Sequence, residues 1–153
     1  MNKPKSNGKR KLTLAYYVRR RNGVPLGAAG SLRNMFHRSL GAGTFAEFWR
    51  YWNPIFGYYL GRYVNAPLKR WLPSSISLVI TFVACGALHD AVGFAATGRE
   101  MFLFTPWFFF MGMGVVISQS IRFDYTNYVW PVRALINISC VAMGLLVTFA
   151  IKQ

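Results

Sequence analysis

The chain has 153 residues, of which 54% are hydrophobic, 17% aromatic and 14% charged. Because a soluble domain usually carries about 25% charged residues, too little polar surface is available here to cover a water-soluble globule, and the hydrophobicity excludes a disordered chain. Only two cysteines occur, Cys85 and Cys140, and both lie in apolar runs, which excludes a disulfide scaffold.

The charge is distributed unevenly along the chain. The formal net charge is +14, and 14 of the 18 Lys and Arg residues precede residue 74. A DNA-binding protein needs its basic residues on a soluble fold, whereas here they precede long apolar segments. Basic segments beside a bilayer are explained by chain orientation and by attraction to anionic lipid. We therefore expect membrane lipids as partners, and no nucleic acid.

The first 23 residues are polar and basic. Their apolar stretch, residues 12–18, is too short for a signal-peptide core of roughly 7–15 residues followed by a cleavage site. We predict an uncleaved, mobile basic cytoplasmic arm over residues 1–23 and a single membrane domain over residues 24–153. A short basic amphipathic helix over residues 31–40 is expected to lie on the membrane surface.

Residues 44–72 combine aromatic and cationic side chains at helical spacing, which is typical of helices in the headgroup region of a bilayer. Pro54 and Pro67 divide this segment. We predict interfacial helices there: one that ends near Trp52, one from Pro54 to about residue 64, and a short piece from Pro67. The apolar positions at spacings of three and four are Phe45, Phe48, Trp49, Trp52, Phe56, Tyr59, Leu60 and Tyr63.

Three apolar segments follow, at residues 75–96, 101–119 and 129–151, each near the roughly 20 residues that cross a bilayer core. The sequence thus predicts an all-α integral membrane protein, with about three transmembrane helices preceded by amphipathic interfacial helices. The basic arm stays in the cytoplasm, which places residues 97–100 outside, residues 120–128 inside and the C-terminus outside.

Two ionisable residues interrupt the first predicted span. His89 lies well inside it, and a membrane-buried ionisable residue is costly enough to indicate function. The alternative is a neutral imidazole hydrogen-bonded to a neighbouring helix. Asp90 points about 100° away from His89 around the helix, so it cannot orient that ring. We expect Asp90 to pair with a basic residue of another segment, either Arg62 or Arg133.

Cys85 and His89 lie on one face of the predicted helix, together with Thr81. These two ligands are too few for a zinc site, so no metal is expected. Asn53 precedes Pro54, which is the pattern of a helix N-cap followed by proline at the first helical position. Asn53 can also serve as a polar site residue, because a cap lies at a helix start, where polar groups can face a cavity.

Two motifs resemble those of the membrane-bound O-acyltransferase family. The first is FWRYWN at residues 48–53, continued by RYVNAPL at 62–68, and the second is TFVACGALH at 81–89. The resemblance covers about residues 44–95. Asn53 is similar to the sterol and diacylglycerol acyltransferase branch, while the surrounding residues look more like the bacterial alginate-acetylation and D-alanine-transfer branch. This second branch implies a bacterial inner membrane.

The resemblance implies transfer of an acyl group, within a membrane tunnel, from a thioester to an acceptor hydroxyl. The donor would be acyl-CoA or an acyl carrier protein, used as a co-substrate with no cofactor bound. His89 matches the catalytic histidine, and Asn53 matches the second polar position. The substrate-binding or supporting residues would be Trp52, Arg50, Asp90 and Cys85.

The chain departs from the family at Leu88, where an aromatic residue is usual, and at Asp90, where a small residue is usual. Family members also have many more spans around their tunnel. A reduced member is expected to oligomerise, to work beside a partner membrane protein, or to have a lost or altered activity. Two alternatives remain: a non-catalytic membrane subunit or scaffold that retains the packing motif, and a small basic lipid-binding protein.

Overall fold

The computed structural model describes residues 13–99 and 102–152, in which helices are joined by turns and short loops. These residues form eight α-helices and one π-helical turn. In chain order the elements are α1 (Leu14–Asn22), α2 (Ser31–Leu40), α3 (Phe45–Tyr51), α4 (Pro54–Leu60), the π turn (Gly61–Asn65), α5 (Ala66–Leu68), α6 (Ser74–Thr97), α7 (Phe104–Ser120) and α8 (Trp130–Ile151).

The amino-terminal arm is shorter than predicted. Residues 1–12 of the predicted arm lie outside the described residues, but α1 occupies most of the remainder and packs against α4. Val18 is only 2% exposed, and Asn22 donates hydrogen bonds to the backbone oxygen and the hydroxyl of Ser31. Residues 14–22 of the predicted arm therefore form a helix that joins the folded body through apolar contacts, such as Tyr17 with Tyr58, and through hydrogen bonds at Asn22.

Two of the helices in the described part of the chain are, by length and composition, long and apolar enough to cross a membrane. They are α6, with 24 residues and a mean hydropathy of 1.8, and α8, with 22 residues and a mean hydropathy of 2.2. Both correspond to predicted spans. The helix at the remaining predicted span, α7, has 17 residues, which reach about 25 Å at 1.5 Å per residue, against a bilayer core of about 30 Å.

The long helices and the amphipathic helices form two packed layers. In one layer, α7 packs against both α6 and α8. In the other layer, α2 packs against α3. This layer rests on the first, because α2 and α3 contact α8, α3 also contacts α7, and the π turn contacts α6. A core of buried apolar side chains joins the layers, and it consists of Ala42, Phe45, Phe48, Met111 and Val115.

A polar hub holds the connection between α2 and α3 onto α8. Asn137 is fully buried, donates to the backbone oxygens of Leu40 and Ala42 at 3.0 Å each, and accepts from the Tyr125 hydroxyl at 2.6 Å. Burial raises the pKa of Tyr125, so this hydroxyl keeps the proton that it donates. Because buried polar groups need hydrogen-bond partners within the protein, these bonds favour one register between the two layers.

The predicted break at Pro67 is wrong, because the helix that begins at Pro54 continues to Leu68 through the π turn. A proline inside an α-helix clashes with the carbonyl four residues back, which here belongs to Tyr63. The Ala66 amide instead bonds to the Gly61 carbonyl, five residues back, and this wider turn admits the proline ring.

A glycine permits the close approach of α6 and α7. A Cβ built on Gly86 would lie 2.5 Å from the Phe104 carbonyl oxygen and 2.7 Å from the Thr105 Cα, both of which are backbone atoms. Backbone at such distances cannot rotate away as a side-chain tip can. Any larger residue at position 86 therefore has to separate the two helices.

We expect Gly86→Ala to lower the free energy of unfolding by roughly 1–3 kcal/mol, as overpacked sites do. Circular dichroism during thermal unfolding in detergent measures the effect. The matched control is Gly61→Ala, since Gly61 is in a helical conformation and nothing lies within 4 Å of an added Cβ. Equal unfolding temperatures for the two variants would contradict the close packing of α6 on α7.

Candidate active site

A cavity of about 700 Å³ lies between the amphipathic layer and the helices α6 and α7. Side chains from α1, α3, α4, the π turn, α6 and α7 line it. Five of the six sequence-predicted site residues are among them: His89, Asn53, Trp52, Arg50 and Cys85. Because these residues come from α3, α6 and the connection before α4, the cavity depends on the packing of both layers.

The hydrogen bond of His89 fixes the tautomer of its ring. Nδ1 lies 2.7 Å from the backbone oxygen of Cys85, one turn earlier on α6. A carbonyl oxygen can only accept, so Nδ1 carries the proton, and in the neutral ring Nε2 carries the lone pair. Nε2 has no hydrogen-bond partner among residues 13–99 and 102–152. The alternative interpretation of His89, a ring hydrogen-bonded to a neighbouring helix, is therefore not observed in that part of the chain.

Three aromatic rings surround His89. Phe108 stacks on the imidazole with 5.2 Å between ring centroids and 26° between planes, while Phe104 and Phe56 lie at 5.4 Å and 5.8 Å. These rings restrict the orientation of the imidazole and give it apolar neighbours. Sequence reasoning did not find Phe104 and Phe108. The aromatic-rich start of α7 was a signal, but which of its rings meets His89 depends on the register between α6 and α7.

Asn53 is a helix cap, as predicted, and it also lines the cavity. Its backbone has a φ of 38°, in the left-handed region that asparagine tolerates better than most residues. Its Oδ1 accepts from the Phe56 amide at 3.2 Å, at the start of α4. Since Oδ1 is bound to the helix, the group that remains for a ligand is the Nδ2 amide, which has no partner within the described part of the chain.

The cavity wall carries positive charge. Arg21, Arg50 and Lys69 line it, and no described lining residue is acidic. The Arg21 guanidinium lies 5.2 Å from the centre of the Tyr17 ring, and its buried Nε has no hydrogen-bond partner in the described structure. Such a wall favours a ligand with an anionic group.

Trp52 contributes to the cavity through packing, with its ring 5.4 Å from Phe36 and 5.5 Å from Phe48. Cys85 supplies the carbonyl that holds His89, while its Sγ lies 3.9 Å from Nδ1 of the same ring. Both residues therefore support the site by position.

Asn65 also lines the cavity, and sequence reasoning missed it. The available signal was Pro67, because a proline there requires the π turn that ends at Asn65.

Asp90 binds the amino terminus of α7, so the predicted ion pair with Arg62 or Arg133 is wrong. Its carboxylate accepts from the amides of Leu103, Phe104 and Thr105 at 2.8–3.0 Å, and from the Thr105 hydroxyl at 2.6 Å. Arg62 instead donates to the Tyr58 hydroxyl at 2.8 Å. The first amides of a helix have no partner within the helix, and they carry a partial positive charge. The Asp90 carboxylate pairs with these amides in place of an arginine.

Loss of this carboxylate should separate α7 from α6. We expect Asp90→Ala to lower the free energy of unfolding by roughly 1–3 kcal/mol, because several amides lose their acceptor, and Asp90→Asn to fall between alanine and the wild type. Thermal unfolding in detergent measures both. Asp124→Asn is the matched control, since Asp124 is exposed and caps only its own turn at Thr126. An Asp90→Ala variant as stable as the control would contradict the capping role.

The cavity thus combines an imidazole with a free Nε2, a carboxamide with a free N–H, a thiol, and a cationic wall. Hydrogen bonds to neighbouring groups set the orientation of the His89 ring and of the Asn53 carboxamide. The arrangement suits proton transfer to and from a ligand that bears an anionic group.

No protein-family model matches the chain, and neither a curated protein nor a solved structure matches it.

Proposed function

We propose that this protein is a reduced enzyme similar to membrane-bound O-acyltransferases, which transfers an acyl group from a thioester to an acceptor hydroxyl. One observation carries the proposal: His89, with its lone pair on Nε2, lines the same cavity as Asn53. A base and a hydrogen-bond donor that share one cavity are what acyl transfer requires. The two sequence motifs and their order support the same reaction.

In the proposed reaction, Nε2 of His89 takes the proton of the acceptor hydroxyl while that oxygen attacks the thioester carbonyl carbon. The carbonyl oxygen becomes an oxyanion, the carbon–sulfur bond breaks, and the thiolate takes the proton back from the imidazolium. The products are an ester and a free thiol, and His89 returns to its neutral form. The Cys85 carbonyl holds the ring throughout, because the Nδ1 proton is never exchanged.

Asn53 supplies the donor for the charge that develops on the carbonyl oxygen. Its Oδ1 is engaged by the Phe56 amide, so Nδ2–H is the group that the carboxamide has left for a ligand in the cavity that Asn53 lines. A donor that is already oriented costs no reorganisation during the reaction, which is why such groups contribute strongly to the stabilisation of transition states. The cap and the proposed catalytic role are therefore two uses of one side chain.

The donor is acyl-CoA or an acyl carrier protein. Both carry phosphate, which the cationic wall of Arg21, Arg50 and Lys69 favours. A volume of about 700 Å³ lies within the range of roughly 300–1,000 Å³ typical of small-molecule sites. Along α6 the wall extends from Ser74 to His89, a separation of 15 residues or about 22 Å, which provides length for an extended arm.

We further propose that α7 crosses the bilayer with α6 and α8, which gives three spans. Its outward stripe of Phe109, Met113 and Ile117 is 37–52% exposed, and an apolar stripe of this kind suits lipid. In the proposed orientation the basic amino terminus lies in the cytoplasm of a bacterium, with the spans in its inner membrane. Further copies of the chain or a partner membrane protein would complete the tunnel wall.

The scaffold alternative needs His89 and Asn53 to be hydrogen-bonded and sealed from any ligand. Both instead keep one polar group without a partner in the described structure, and both line the cavity. The lipid-binding alternative depends on basic residues between 3 and 21, of which those before residue 13 lie outside the described residues. Catalysis is therefore the function that the cavity supports best.

Replacement of the proposed base should abolish thiol release. With purified protein in lipid nanodiscs, a panel of acyl-CoA thioesters and a cell lysate as the source of acceptors, we expect His89→Gln to lower the rate of free-thiol formation by about 10²–10⁴-fold. The control is His37→Phe, because His37 stacks on Trp130 and does not line the cavity. Equal rates for the wild type, His89→Gln and His37→Phe would remove His89 as the base.

Asn53→Asp separates the two uses of Asn53. Aspartate tolerates the left-handed backbone and keeps an oxygen for the Phe56 amide, but it loses the Nδ2 donor. We expect the unfolding temperature to stay near that of the wild type while thiol release falls by about 10²–10³-fold. Asn53→Gly should lower both stability and rate. Wild-type turnover by a folded Asn53→Asp variant would show that Asn53 is only a cap.

A further inference from the structure

The hydrogen bonds around Asn65 determine which of its atoms is available to a ligand. The Thr81 hydroxyl donates its only proton to the Ser77 carbonyl at 2.6 Å, so Thr81 Oγ1 can only accept from Asn65. The Asn65 group 3.1 Å away must then be the Nδ2 amide. Its Oδ1 is left as a hydrogen-bond acceptor with no partner among residues 13–99 and 102–152.

The local backbone places Asn65 in the cavity. Pro67 requires the π turn Gly61–Asn65, and Asn65 is the last residue of that turn. Such single π turns inside helices are frequent at functional sites. Both Asn65 and Thr81 line the cavity, and the π turn packs directly on α6. The bond to Thr81 orients the carboxamide, and its acceptor oxygen is therefore held in place.

We propose that Asn65 determines specificity for the thioester donor by accepting a hydrogen bond from an N–H or O–H group on the donor's arm. This inference rests on the proposed acyl transfer. Thr81 and His89 are eight residues apart on α6, so the contacted group lies about 12 Å from the reacting carbonyl along the helix axis. The pantetheine arm, common to coenzyme A and acyl carrier proteins, carries its outer amide and its hydroxyl well beyond the thioester.

Charge sets the direction of the bound arm. Lys69, Ser74 and Ser75 line the cavity on the side of Thr81 away from His89. A donor with its thioester at His89 and its phosphate near Lys69 therefore passes Asn65 with the middle of its arm. Apolar thioesters without an N–H or O–H group in that part would cover the half-buried Asn65 Oδ1 without pairing it, which weakens their binding.

The experiment compares two thioesters that share the reacting group and the inner amide. S-acetylpantetheine carries the outer amide and the hydroxyl, and S-acetyl-N-acetylcysteamine lacks both. For the wild type we expect the higher kcat/KM with S-acetylpantetheine, and we expect Asn65→Leu to reduce the ratio of the two kcat/KM values by about three- to tenfold. S-acetyl-N-acetylcysteamine has no group that reaches Asn65, so any fall in its kcat/KM reports the loss of the Asn65–Thr81 bond, and the ratio of the two values removes that contribution. Asn34→Ala, which alters an asparagine outside the cavity, should keep the wild-type ratio.

An unchanged ratio in Asn65→Leu, or an equal fall with both thioesters, would overturn the role of Asn65 and leave the proposed acyl transfer intact.

A second readout does not depend on turnover. The thioether S-methylpantetheine should slow modification of Cys85 by methyl methanethiosulfonate in the wild type, and less so in Asn65→Leu. Cys140 does not line the cavity and serves as the internal control.

These two readouts separate the two proposals. Absence of turnover with both thioesters, together with Asn65-dependent protection of Cys85, would overturn acyl transfer and retain Asn65 as the contact for the arm. Equal protection in the wild type and in Asn65→Leu would overturn the contact itself.

Discussion

The close approach of α6 and α7 is the constraint on which the rest of the structure depends. Gly86 brings the α7 backbone against α6, and one turn later Asp90 binds the first amides of α7. His89 lies between them, so the same contact positions its ring against Phe108. Without this junction, neither the orientation of the imidazole nor the aromatic wall around it would be defined.

The second requirement is that the amphipathic layer stays in register with the long helices. Asn137 and Tyr125 provide that register on α8, while the bond from Asn65 to Thr81 provides it on α6. The second of these contacts forms part of the cavity wall, because Asn65 and Thr81 both line the cavity. The cavity therefore combines side chains that neither layer could gather alone, with His89 from the long helices and Asn53 from the amphipathic layer.

Local patterns in the sequence predicted much of the helical structure. Aromatic spacing and Pro54 gave a helix that ends near Trp52, followed by one capped by Asn53, and hydropathy gave α6 and α8. These features depend on neighbours along the chain, which is why the sequence reveals them.

Features that depend on tertiary contacts were not predictable. The partner of Asp90 is a row of backbone amides, and backbone groups are present at every position and leave no mark in a sequence. The helix through Pro67 follows from a π turn that rests on α6, and the choice of Asn65 and Phe108 as cavity residues follows from packing registers. The convergence of Asn53 and His89 was anticipated only through the resemblance, because 35 intervening residues separate them in the chain.

The central claim is that His89 presents its Nε2 lone pair to the cavity, and ¹⁵N NMR of histidine-labelled protein tests it most directly. The chain has only two histidines, so the His37→Phe variant leaves a single ring to observe. In the neutral ring we predict a protonated Nδ1 bonded to the Cys85 carbonyl and an unprotonated Nε2. A ring that carries its proton on Nε2 would contradict the account, because that atom could then not take a proton from an acceptor hydroxyl.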